Sequence, residues 1–254
     1  MTRYAITFGE VAILHVGSKE VGKKRNQGYT VDDLNLLHQN ISNSEIFYLH
    51  DQLPEKYRSE NQAAVLVIRN AANLFLGTNG ADKLLKEQKN INYDKKYFDY
   101  RRKKTLNKRA RYNIVFGTQE ILHSEDYKIY SVKAFQNLPF LNQIRIRLHN
   151  FLGNKAKNLN AEGNYYYENK SGIGFHGDSE RKIVICLSLG DKSILRYAWR
   201  LPGTSEHYGN PIDISVEHGD IYIMSEKATG YDWKLRSKVR VVHAAGSDKY
   251  IVKK

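Results

Sequence analysis

The chain has 254 residues, 41% of them hydrophobic, enough to bury the core of one large domain or of a catalytic domain with a smaller addition. A net charge of +13 favours an anionic partner, nucleic acid first, although the abundance of Lys, Asn, Tyr and Ile is also what AT-rich coding produces. The single cysteine, Cys186, excludes an intrachain disulfide and suits a reducing compartment. Inside the apolar run 183–187 it reads as a small buried strand residue.

No secretory signal is visible, because Gly9 and Glu10 interrupt the apolar stretch that follows Arg3. The best apolar run, 63–68, is far too short to span a bilayer. An intracellular monomer, cytoplasmic or nuclear and without a membrane partner, is the expectation.

Taken in chain order, residues 4–16 read as strand, broken near Gly9 and Glu10. The segment 17–24 comes close to a phosphate-binding loop, but Lys24 stands where a magnesium-ligating Ser or Thr is needed, so it reads as a solvated basic loop. Thr30 is a helix N-cap, with Asp32 and Asp33 in the first turn and Leu34, Leu36, Leu37 and Ile41 as apolar positions. Residues 63–68 read as a buried strand, 71–76 as the start of a helix, and Asn79-Gly80 as a turn.

The polar, basic segment 83–111 reads as a boundary or a long surface element. From Tyr112 onward short strands dominate: 112–116, 127–132, 164–167, 181–189, 194–200, 212–216, 220–224, 236–242 and 249–253. One helix, 138–152, interrupts them, with Leu141, Ile144, Leu148 and Phe151 at helical spacing. This pattern predicts an α+β protein. Residues 1–100 form a smaller α/β extension, and residues 101–254 form a double-stranded β-helix, or jelly-roll, catalytic core.

Chemistry concentrates in the segment 172–181, Gly-Ile-Gly-Phe-His-Gly-Asp-Ser-Glu-Arg. Residues two apart on a strand share a face, so His176 and Asp178 offer an imidazole and a carboxylate to one ion. Two histidines and a carboxylate on one side of a metal form the facial triad of non-haem iron(II) oxygenases, which leaves positions free for co-substrate and O2. Three histidines follow His176. His207 sits in a loop and His218 in a turn before a strand, whereas His243 ends the alternating run 239–243 and is the best-placed third ligand.

These residues resemble a known family. Asn164-Tyr165-Tyr166, then Ile173-Gly174-Phe175-His176-Gly177-Asp178-Ser179-Glu180, and later Glu217-His218-Gly219-Asp220, are similar in order and spacing to motifs of the AlkB-type 2-oxoglutarate dioxygenases. The resemblance covers about residues 161–254 and, more loosely, the chain from Tyr112. It implies Fe(II), 2-oxoglutarate and O2 as cofactor and co-substrates. It also implies that Asn164 and Tyr166 hydrogen-bond 2-oxoglutarate, and that Glu180 lies near a substrate base. A basic residue on the last strand would pair with the distal carboxylate; the family has arginine there, and Lys249 is the best match. A second C-terminal arginine of the family has only Lys253 or Lys254 as a counterpart. The segment between Met224 and His243, with Tyr231-Asp232-Trp233, is longer than the family pattern, and the first hundred residues resemble nothing in it.

The densest positive charge is Arg101, Arg102, Lys103, Lys104, Lys108, Arg109 and Arg111, with Tyr93, Tyr97, Phe98, Tyr100 and Tyr112 around it. Phosphates favour Lys and Arg, and unpaired bases favour aromatic faces, so Arg101, Arg102 and Arg109 are candidate substrate contacts. The expected function is oxidative demethylation of alkylated bases in DNA or RNA, as in DNA repair, on single strands or flipped nucleotides. The alternatives are a 2-oxoglutarate-dependent hydroxylase of protein side chains and a nucleic-acid-binding module without activity.

Overall fold

The computed structural model describes residues 2–13 and 20–251. The end of the expected strand 4–16, the start of the phosphate-loop-like segment 17–24, and Lys253 and Lys254 lie outside them. The chain opens with strands β1 (Arg3–Gly9), β2 (Val11–Ile13) and β3 (Glu20–Gly22). Next come helix α1 (Val31–Asn40), β4 (Ser44–Tyr48), α2 (Glu55–Arg58), β5 (Ala64–Ile68), α3 (Ala71–Leu76) and α4 (Gly80–Lys89). The hairpin β6 (Lys96–Asp99) and β7 (Lys104–Asn107) leads to β8 (Tyr112–Gly117), β9 (Val132–Ala134) and α5 (Pro139–Leu152). The remaining elements are β10 (Asn160–Tyr166), β11 (Gly172–His176), β12 (Val184–Gly190), β13 (Ser193–Arg200), β14 (Tyr208–Val216), β15 (Ile221–Met224), β16 (Arg240–Gly246) and α6 (Asp248–Ile251).

Local chemistry explains several of these boundaries. Asp33 N–H donates to Thr30 Oγ1 at 3.0 Å and Thr30 N–H donates to Asp33 Oδ2 at 2.7 Å, a reciprocal cap that starts α1 at the expected residue. The break after β1 has a different cause. Glu10 is buried, and its carboxylate accepts the N–H groups of Lys182 and Ile183 at 2.6 and 3.0 Å, which ties the bend to the strand opposite.

The fold is a strand-rich mixture of α and β structure on a large, mainly antiparallel sheet. That sheet runs β4-β5-β15-β12-β1-β10-β8-β9, and a second sheet runs β11-β16-β13-β14. Strands from before and after residue 100 are neighbours in the large sheet: β5 pairs with β15, and β1 with both β10 and β12. β1 lies between β10 and β12, antiparallel to both, with Arg3 opposite Tyr166 on one side and Gly190 on the other.

One face of the large sheet carries Ile6, Phe8, Leu66, Ile114, Ile185 and Ile223 against the helices, which contribute Leu34, Phe75, Leu84, Leu141, Ile144 and Leu148. The other face carries Val65, Val67, Val184 and Met224 against Leu195, Tyr197, Trp199 and Val241 of the small sheet. β5 is therefore buried on both faces, which is why its sequence is continuously apolar. Two expected apolar helix positions face outward: Leu36 is 61% exposed, and Phe151 is 42% exposed and packs on Phe75.

The end of the chain departs from expectation. Residues 249–253 were expected to form a strand, but the described part is the short helix α6, packed on β11 and β16. The only place beside β10 and β12 is already filled by β1. Likewise, residues 124–129 turn back on themselves, and pairing resumes only at β9.

If β1 is a central member of the fold, Ile6→Ala should lower the unfolding free energy by about 2–5 kcal/mol, the usual cost of truncating a fully buried aliphatic side chain. Urea denaturation measures this, and a loss below about 1 kcal/mol would mean that β1 is peripheral.

Candidate metal centre

The two sheets enclose a cavity of about 860 Å3. Alternate residues of β1, β10 and β12 line it: Arg3, Ala5 and Thr7; Glu162, Asn164 and Tyr166; Val184, Cys186 and Ser188. His176, Asp178 and His243 line it from the small-sheet side. His176 on β11 is directly opposite His243 on β16, and opposite residues of an antiparallel pair put their side chains on one face within a few ångströms. The two imidazole centroids are 4.5 Å apart. β11 ends at His176, so Asp178 reaches the same point from a turn, where its N–H donates to Thr229 O at 2.9 Å.

His176 Nε2 and Asp178 Oδ1 are 3.7 Å apart, within the span of two metal bonds of about 2.1 Å each. Ligand atoms of all three residues lie within 4.8 Å of one another. His176 Nδ1 sits 2.8 Å from Gly174 O; a carbonyl only accepts, so Nδ1 carries the hydrogen and Nε2 keeps its lone pair towards the cavity. His243 is buried, and burial, followed by His176 and Arg181, holds its pKa well below the usual imidazole range. It is therefore neutral, the form that binds metal. Its Nδ1 is a buried nitrogen without a hydrogen-bond partner, which leaves its lone pair available to a metal. Two imidazoles and one carboxylate fit a divalent transition metal such as iron(II).

The other histidines are engaged elsewhere. His218 Nδ1 accepts from Gly190 N–H at 3.0 Å while Nε2 lies 3.3 Å from Asp82, and His207 packs edge-on against Phe175.

Arg181 organises the acidic side of the site. It is 4% exposed and meets Asp178 at 3.8 Å, Glu162 at 3.2 Å and Glu180 at 2.9 Å. Glu162 also faces Arg111 at 3.8 Å, and Arg111 Nε donates to Asn164 Oδ1 at 2.5 Å. A continuous run of charge thus joins the candidate ligand Asp178 to the far wall of the cavity. Glu180 lines the cavity as expected, but its carboxylate is held by Arg181. Asn164 and Tyr166 also line it.

Lys249 does not join them. It is exposed on α6, with its ammonium 5.4 Å from the Tyr250 ring, and is absent from the cavity wall. The expected basic run is divided. Arg101 and Arg102 lie exposed at the turn of the β6–β7 hairpin, Arg109 is exposed, and only Arg111 reaches the cavity. Tyr93 is buried and donates to Gln88, so it offers no face to a base.

Residues that sequence reasoning passed over include Arg3, Arg181, Trp233 and Lys24, all in the cavity wall. Arg3 and Thr7 left a trace, as polar residues alternating with Tyr4, Ile6 and Phe8 on one strand.

No protein-family model matches the chain. One relative is 39% identical over 258 residues, which cover 97% of this chain and 96% of the relative: "Uncharacterized protein R156" of Acanthamoeba polyphaga mimivirus. The chain belongs to that protein's family. The match extends over both sheets rather than one of them. Among the described residues, no helix is long and apolar enough to cross a membrane.

A Cβ on Gly177 would run into the Gly230 carbonyl and the Trp233 indole, so the 229–233 segment is seated on the backbone between the two candidate ligands. Gly177→Ala should therefore weaken cobalt(II) binding by at least roughly tenfold while the protein remains folded, since misplacing ligands by a fraction of an ångström is enough. Titration of the cobalt absorption bands reads the effect, and unchanged affinity would refute it.

Lys108 yields a second expectation. It is buried, with Nζ donating to Asn113 Oδ1 at 2.5 Å, and burial pushes its pKa down to about 8. An unfolded lysine titrates near 10.4, so between these values the unfolded chain holds a proton that the folded one has released, and stability rises with pH. Relative to Lys108→Met, the wild type should gain up to roughly 3 kcal/mol between about pH 8 and pH 10.4 in urea denaturation. A pH-independent difference would show that the ammonium is better solvated than its burial implies.

Proposed function

We propose that the protein is an iron(II)- and 2-oxoglutarate-dependent oxygenase with a double-stranded β-helix core, acting on alkylated bases of DNA or RNA. The observation that carries this reading is the convergence of His176, Asp178 and His243 on one face of a cavity between two sheets, where His243 is buried, neutral and short of a partner. The bound iron would supply open coordination positions and the electrons for coupling O2 reduction to decarboxylation of 2-oxoglutarate.

The remaining tasks fall to the chain. Asn164 and Tyr166 line the wall that 2-oxoglutarate would occupy. Arg181 fixes the Asp178 carboxylate and keeps Glu180 from swinging into the metal. The enclosing sheets limit water around the reacting atoms.

Charge supports the substrate class. Lys24 and Lys234 are exposed residues of the cavity wall, Lys24 Nζ donates to Ser179 O at 2.6 Å, and the chain carries +13 overall. Hydroxylation of an N-methyl group on a base held there would release the methyl as formaldehyde.

His176→Ala and His243→Ala should each abolish iron binding and succinate formation, while His218→Ala leaves both intact. The iron-loaded wild type should remove one methyl mass from single-stranded oligonucleotides carrying N1-methyladenine or N3-methylcytosine, with binding that weakens steeply as salt rises. Succinate formation stimulated by peptides and not by oligonucleotides would replace the base with a protein side chain as substrate. Normal turnover in His243→Ala would remove the metal assignment itself.

A further inference from the structure

The cavity holds three buried or half-buried arginines, and two of them are already matched. Arg181 is surrounded by Asp178, Glu162 and Glu180. Arg111 meets Glu162 and Asn164. Arg3 is different. It is 9% exposed, no described carboxylate lies within ion-pairing distance of it, and its Nε has no hydrogen-bond partner. Its guanidinium lies 4.1 Å from the centroid of the Tyr166 ring, its direct partner across β1 and β10. Stacking orients the guanidinium but does not neutralise it. A guanidinium taken out of water without a counter-charge is costly, so its presence in the wall of a metal cavity implies an anion that arrives with the ligand.

Its place in the fold follows from strand pairing. The segment after His243 turns into α6 and carries Lys249 away from the cavity. The gap between β10 and β12 is filled by β1, whose alternation directs Arg3, Ala5 and Thr7 to the cavity and Tyr4, Ile6 and Phe8 to the helices. Ser188 of β12, opposite Ala5, faces the same space.

We propose that the first strand, and not Lys249, supplies the cation that anchors the distal carboxylate of 2-oxoglutarate, and that this cation is Arg3 stacked on Tyr166. The assignment rests on the oxygenase reading and adds to it the end of the chain from which the anchor comes. Arg3 then selects a dicarboxylate over a simple 2-oxo acid, because only a ligand with a second carboxylate, held away from the metal, offsets the buried charge.

The test is calorimetric binding to the full chain loaded with manganese(II), without turnover. The ligands are 2-oxoglutarate, its analogue N-oxalylglycine, and oxalate, which chelates metal but has no distal carboxylate. Arg3→Met should raise the Kd of 2-oxoglutarate and N-oxalylglycine at least roughly tenfold and leave that of oxalate unchanged, since a charge-assisted bond is lost at the distal end alone. Retained oxalate binding shows that the variant is folded and metal-loaded. Arg3→Lys, which keeps the charge without the planar fork, should fall between the wild type and Arg3→Met and gives the reading if the methionine variant does not fold. Unchanged 2-oxoglutarate affinity in Arg3→Met, with a weakened Lys249→Met, would overturn the inference and leave the oxygenase reading standing. A manganese-loaded wild type that binds oxalate and no 2-oxoglutarate would overturn both.

Discussion

The pairing of β1 between β10 and β12 is the interaction on which the other features depend. It joins two parts of the large sheet, β10-β8-β9 on one side and β12-β15-β5-β4 on the other, which among the described residues are not otherwise paired with each other. It gives the helices their central apolar seat through Ile6 and Phe8, and it turns one polar strand face towards the metal ligands. A strand that is amphipathic in this sense, apolar residues alternating with Arg3 and Thr7, is suited to a sheet with a packed core on one side and a ligand cavity on the other.

Within the cavity, organisation is electrostatic rather than apolar. Arg181 sits among three carboxylates, and its own charge is held firmly in place by Asp178, then Glu162, then Glu180, despite full burial. Removing any one partner would leave charge uncompensated in a low-dielectric setting, which makes the group rigid as a unit. Through its contact with Arg181, Asp178, a candidate metal ligand, shares that rigidity. The 229–233 segment holds the same ligand turn from behind, through the Thr229 carbonyl and the close approach of Gly230 to Gly177.

The sequence disclosed the short-range parts of this arrangement. Period-two alternation located β12 to β15, and β10 and β16 with their starts displaced by about four residues, because alternation is local to a few residues. The helix α5 and the cap of α1 were equally visible. The role of β1 was not, since nothing within its seven residues encodes a partner 150 or more positions away. Nor was the end of the chain legible, where a strand was expected over 249–253 and the described part is the short helix α6. The depth of the basic run was not legible for another reason. Charge density along a sequence says nothing of depth, and Lys108 lies inside while Arg101 lies outside.

The long-range position of β1 also bears on how the molecule is assembled. The contact between Thr7 and Cys186 bridges 179 residues. Ribosomes add about 5–20 residues per second, so β1 waits on the order of ten seconds or more for β12 to be made. Until β10 and then β12 are made, Tyr4, Ile6 and Phe8 lack their sheet neighbours, and the edges of the strand are open to unwanted pairing. Non-local closure of this kind slows folding, because loop entropy is lost before contacts compensate for it. A half-made chain therefore has neither its large sheet nor its arginine anchor, and chaperone dependence during synthesis is a natural correlate of this architecture.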